Sequence, residues 1–132
     1  MSEQNKAATR RFYDAINAGQ LDTILGLMTP GFIEHEEFPG IPPNAAGVRQ
    51  LFEVLRTAFP DFRIEVDALL AEGDVVAARG RMTGTHRGEF MGMAATGKTM
   101  ATPFADFIRF EGGKAAEHWG VTDSGAMMQQ LS

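Results

Sequence analysis

The sequence predicts an α+β domain in which three N-terminal helices pack on a curved, mainly antiparallel sheet. Two observations carry this expectation. Apolar residues recur at helical spacing over the first half of the chain and then at a spacing of two from Phe62 onward. Glycine-bearing turns separate the later segments, as expected for hairpins. With 132 residues the chain is one domain, residues 1–132, long enough for one core and a modest pocket.

Each element has its own signal. Ala8, Phe12, Ala15 and Ile16 form the first helical stripe, and Gly19 is a natural stop. The stretch LDTILGLM reads as a short second helix, with Asp22 near its start and Pro30-Gly31 closing it. Asn44 is placed to cap a third helix, whose stripe is Val48, Leu51, Phe52, Leu55 and Phe59 before Pro60. Phe62, Ile64 and Val66 then alternate with Arg63, Glu65 and Asp67, the pattern of a half-buried strand. The turn EGD leads to a second strand, VVAARGRMTGTH. MATPFADFIRF and KAAEHWGVT form a hairpin around Gly112-Gly113. Helices closing one side of a curved sheet leave a cone with an open mouth, a natural ligand site.

Composition narrows the function. Hydrophobic residues make up 44% and charged residues 22%, ordinary values for a globular protein. A net charge of −5 without a basic stripe disfavours nucleic acid. No apolar run approaches the roughly 20 residues that span a bilayer, so no membrane partner is expected. The absence of cysteine and of an apolar N-terminal signal suits a cytoplasmic protein. The expected partners are an apolar small molecule and a second copy of the chain.

A regular two-residue hairpin sets Phe110 opposite Ala115, Ile108 opposite Glu117 and Asp106 opposite Trp119. Phe104, Asp106, Ile108, Phe110, Ala115, Glu117, Trp119 and Val121 then share the concave face. Ala105, Phe107, Arg109, Ala116 and His118 share the other. Asp106 and Glu117 become diagonal neighbours, with backbones roughly 7–8 Å apart. Two acids in an apolar cavity do not both ionise freely, which favours one as a general acid/base near neutral pH. The alternative is that both reach solvent, or that Arg79 or Arg81 pairs with them.

Two further features stand out. EHEEFPG, residues 34–40, places His35 among glutamates. A metal site would need His35, His86 and His118 to converge with a carboxylate, and none shows a tight ligand spacing, so no metal is expected. GTHRGEFMGMAATG reads as a lid or rim, with Phe90 and Met91 over an apolar ligand or as a plain surface loop. It carries no phosphate-binding or dinucleotide fingerprint.

GTHRGEFMG…ATGK, then FADFIRFEGGKAAEHWGVTD, together with the opening RRFYDAINAGQLDTILGLMTPGFIEHE, resemble the SnoaL-like polyketide cyclases, or ester cyclases, of the NTF2-like superfamily. The resemblance covers nearly the whole chain. It implies a cone of helices on a curved sheet, a homodimer, no metal or organic cofactor, and ring closure of a polyketide ester by intramolecular aldol condensation. A pocket carboxylate acts as acid/base there, and the matching positions are Asp106, Glu117 and His35. Phe12, Phe52, Phe90 and Met91, with Phe104, Ile108 and Trp119 from the hairpin, are the expected substrate-binding residues. The chain is also similar to the ketosteroid isomerases. Asp106 lies at their hydrogen-bonding acid and His35 near their base. Phe12 stands at their oxyanion tyrosine, with Tyr13 facing another way, a departure that speaks against steroid isomerisation. Two readings compete with a cyclase: an epoxide hydrolase using two acids bridged by Arg79 or Arg81, and a non-catalytic binding domain.

Overall fold

The computed structural model describes residues 2–132. Helix α1 (Ser2–Asn17) buries Ala8, Thr9, Tyr13 and Ile16 along one stripe. Gly19, at φ +74°, breaks it in the left-handed conformation that glycine adopts without a Cβ penalty. The Asn17 side chain then ties the helix end to the sheet, donating to the Ile64 carbonyl at 3.0 Å and accepting from the Ile64 amide at 2.7 Å. Helix α2 (Leu21–Gly26) is short, and Pro30-Gly31 lie beyond it, inside strand β1 (Met28–Glu34). The architecture therefore departs from helices first and strands after: an early strand separates the second and third helices.

Asn44 caps helix α3 (Ala45–Ala58), its Oδ1 accepting from the Gly47 amide at 3.0 Å. Strands β2 (Arg63–Glu72), β3 (Val75–Thr85), β4 (Thr99–Glu111) and β5 (Lys114–Thr122) follow, and helix α4 (Ser124–Leu131) ends the chain. The sheet order is β1-β5-β4-β3-β2, antiparallel throughout except for the parallel β1–β5 pair. The helices pack on this open, curved sheet around Ile16, Ile24, Phe59, Val76 and Leu131, all essentially without solvent contact. Helix α4 was not foreseen. Asp123 caps it, and Gln130 exchanges hydrogen bonds with both backbone groups of Ala101, fixing it against β4.

Two irregularities shape the sheet. In β2 the register shifts between Val66 and Ala68, where the strand crosses Gly80 of β3. A Cβ on Gly80 would lie 2.0 Å from the Glu65 carbonyl oxygen, so only glycine permits the approach. The second shift lies in the β4–β5 hairpin and governs the site. Phe110 pairs with Ala115 as expected, but Arg109 pairs with Glu117, leaving Ala116 as the extra residue of a bulge. Ala115 and Ala116 are both buried, and every later β5 side chain exchanges faces relative to a regular hairpin.

Candidate active site

The cone encloses a cavity of about 550 Å³. Phe12, Phe52, Phe90, Met91, Phe104 and Ile108 line it, where the sequence put them. Trp119 does not. The bulge pairs it with Phe107 on the outer face, where it stacks on His35 with ring centroids 5.0 Å apart. Glu117 follows it outward. Its carboxylate accepts from Arg109 Nε at 2.9 Å and from His35 Nε2 at 2.6 Å. These bonds, His35 first and Arg109 second, hold the Glu117 pKa below the usual carboxylate value. The expected Asp106–Glu117 pair therefore does not exist: Asp106 faces the cavity, and Glu117 and His35 face away from it.

His118 takes the inner position instead, opposite Ile108. Its Nε2–H donates to Asp106 Oδ1 at 2.7 Å, and its Nδ1–H donates to Glu34, 2.8 Å from Oε1 and closer still to Oε2. Burial alone would lower the pKa of this imidazole. The hydrogen bonds and charges of Asp106 and Glu34 outweigh that effect and push it up to about 10. His118 is thus an imidazolium at neutral pH, held between two carboxylates.

Asp106 accepts a second bond on Oδ2, from the Tyr13 hydroxyl at 2.6 Å. Tyr13 faces the cavity together with Phe12, rather than another way as the sequence suggests, because residues that straddle the stripe of α1 both reach the cone interior. Burial, then the Asp106 charge, raise the Tyr13 pKa well above its ordinary value, so it remains a neutral donor.

EHEEFPG resolves by alternation. Glu34 and Glu36 point inward, and His35 between them points out. The Glu36 carboxylate accepts from Thr122 Oγ1 at 2.8 Å. Its pKa is raised, by burial first, with the Asp106 and Glu34 charges adding and the Thr122 bond and His118 opposing. Sequence reasoning missed Tyr13, Glu34, Glu36, His118 and Thr122. The available signal was the E-H-E alternation at the end of β1; the bulge that brings in His118 has none.

His35, His86 and His118 do not converge. His86 is buried beside Phe59, its Nδ1 accepting from the Thr96 amide at 3.3 Å at the base of the 86–98 loop. The donors that do gather are Glu36, Asp106 and His118, with one atom of each within 4.8 Å of the others. Both His118 nitrogens are already engaged by carboxylates, so an ion bound at this set would have to replace one of those hydrogen bonds.

Fold and site together define an NTF2-like cone whose apolar pocket carries a hydrogen-bonded Tyr13–Asp106–His118–Glu34 cluster. The sequence profile of the SnoaL-like polyketide cyclases matches residues 7–131, and the chain belongs to that family. Aklanonic acid methyl ester cyclase AcmA of Streptomyces galilaeus is 31% identical over 139 residues, covering 99% of this chain and 92% of the relative. Wild-type IdmH of Streptomyces antibioticus is 31% identical with a TM-score of 0.85, covering 97% of this chain and 98% of that one. TsrD of Streptomyces laurentii, 23% identical, shares the fold at a TM-score of 0.89 over 98% of this chain and 96% of that chain.

Proposed function

We propose that the protein closes a ring in an apolar polyketide ester by intramolecular aldol condensation, with Asp106 as the base. The observation that carries this reading is one carboxylate on the wall of an apolar cavity, fixed on one oxygen by Tyr13 and on the other by His118. Asp106 removes a proton from the carbon between two carbonyls. The enolate carbon then attacks a ketone elsewhere in the same folded molecule. As Asp106 is neutralised and negative charge moves to the substrate, the His118 imidazolium remains beside it, oriented by Glu34. Phe12, Phe52, Phe104 and Ile108 fold the substrate so that the reacting carbons meet.

AcmA is named for aklanonic acid methyl ester, and a cavity of about 550 Å³ lies within the usual range for ligands of drug-like size. That ester is the first substrate to test. Wild-type protein should convert it to a ring-closed isomer, resolved by chromatography. Asp106→Asn should lower kcat by about 10²–10⁴-fold while leaving ligand affinity nearly unchanged. Equal rates for the two proteins would remove Asp106 from the chemistry. A hydrolase reading would draw support from an arginine reaching two pocket acids. Arg81 instead pairs with Glu65 and Asp67 away from the cavity, and no arginine lines the cavity among the described residues.

The outer face of the sheet supports a homodimer. Phe107, Trp119 and Val121 are exposed there beside the Arg109–Glu117 pair, an apolar strip with charges at its edge that a two-fold mate would complement.

A further inference from the structure

We infer that Glu36 is a second catalytic group in the cyclase reaction proposed above: the acid that protonates the alkoxide formed when the ring closes. An aldol closure needs two proton transfers, one from carbon and one to oxygen, and Asp106 accounts only for the first. After taking the substrate proton it lies at the deprotonated carbon, whereas the new alkoxide forms at the other reacting carbonyl.

Glu36 reaches the cavity because it follows β1 in alternation, two residues beyond Glu34. Room for it comes from Gly120. A Cβ there would lie 2.3 Å from Glu36 Oε1 and 2.6 Å from the His118 ring, so any larger residue would displace one or both. Glycine at this place in β5 makes the volume that the carboxyl group occupies. Thr122 holds Oε2, while Oε1 has no hydrogen-bond partner among the described residues. This contrasts with Asp106, both of whose oxygens are engaged, and with Glu34, whose carboxylate orients His118. Glu36 therefore keeps one oxygen fixed by Thr122 and leaves the other without a protein partner among the described residues.

The groups facing Glu36 are Glu34 from β1, Asp106 from β4, and His118 and Thr122 from β5. Burial and the two neighbouring carboxylates favour its protonated form, and the Thr122 bond and the imidazolium only partly offset them. A proton is thus retained nearer to neutrality than on an ordinary glutamate. The reaction balances without a co-reactant. The C–H bond breaks and its proton passes to the Asp106 carboxylate. The enolate pair forms the new C–C bond, and the ketone π pair moves to oxygen. That oxygen takes the proton from the Glu36 carboxyl group. Return of the proton from Asp106 to Glu36, whose donor atoms lie within 4.8 Å, restores both groups.

Two probes separate the steps. Methyl benzoylacetate has the acidic carbon but no second ketone to attack, so its exchange with D2O reports proton removal by Asp106 with no alkoxide to protonate. Aklanonic acid methyl ester reports the whole closure. Glu36→Gln should keep the exchange within about twofold of wild type and slow closure by about 10²-fold or more. Its closure rate should also lose the decline that wild type shows as pH rises and Glu36 ionises, and Glu36→Asp should recover part of the rate. The assignment is overturned if Glu36→Gln closes the ring at the wild-type rate, or if exchange and closure fall together. Wild-type protein that neither exchanges nor closes overturns the cyclase reading itself, and this inference with it.

Discussion

Alkaline pH should strip stability from this protein through one residue, His118. Its pKa is about 10 in the folded protein against 6.5 in the ordinary state. A raised folded pKa gives stability that is fully present below pH 6.5 and is lost as pH rises through 10. For those two values the linkage relation gives about 4 kcal/mol at pH 7 and less than about 1 kcal/mol at pH 10. The expected loss across the window is therefore roughly 3–4 kcal/mol, or roughly 10–15 °C in Tm for a domain of this size. Tyr13, whose phenol burial and Asp106 also hold above its ordinary value, loses stability in the same direction only at the top of the window, where the unfolded phenol begins to ionise, and it does so with and without His118. Urea unfolding of wild type and His118→Gln at half-unit pH steps isolates the effect, since surface groups titrate alike in both. The stability difference should shrink steadily from pH 7 to 10, and the imidazole NMR shifts should titrate near 10. Parallel curves, or an imidazole that titrates near neutrality, would refute the charged bridge between Glu34 and Asp106.

Glu117→Gln should leave ring closure within about twofold of wild type, because its carboxylate serves His35 and Arg109 on the outer face; a loss as large as that of Asp106→Asn would return it to the site. Trp119 emission should ignore pocket ligands, since the indole lies outside the cavity. If the outer strip joins two copies, that emission should shift to longer wavelength on dilution as light scattering records dissociation; a monomer at micromolar concentration would reject the dimer.

Most of the fold was legible because periodicity and punctuation report it directly. The α1 and α3 stripes, the Gly19 stop, the Asn44 cap and the hairpin turn at Gly112-Gly113 each rest on a local physical preference. Strand β1 was less legible, as Pro30-Gly31 reads as punctuation although it lies within an edge strand, where a missing amide donor is tolerated. The apolar half of the pocket was legible for the same reason as the core: Phe104 and Ile108 alternate on β4, and that alternation is regular.

The polar half was not, and one residue explains why. Asp106 was placed correctly because it lies on the regular strand of the hairpin. Glu117, Trp119 and His118 were exchanged because Ala116 is inserted on the other strand. Alanine gives no sign of a bulge: it is small, apolar and buried on either face, so Ala115-Ala116 fits a regular and a bulged hairpin equally well. The deciding term is the later pairing. In the bulged register Arg109 meets Glu117 across the strands and Phe107 meets Trp119, opposite charges and paired aromatics side by side. The regular register would bring Glu117 beside Ile108 in the apolar cone and put His118 on the outer face, leaving Glu34 and Asp106 facing the cavity without a cation between them. Two buried carboxylates without their counter-charge cost far more than an unpaired alanine backbone. The bulge thus separates the side chains of β5 into two faces, with His118 turned to the cavity and Trp119 turned to the outer strip where a second copy would dock.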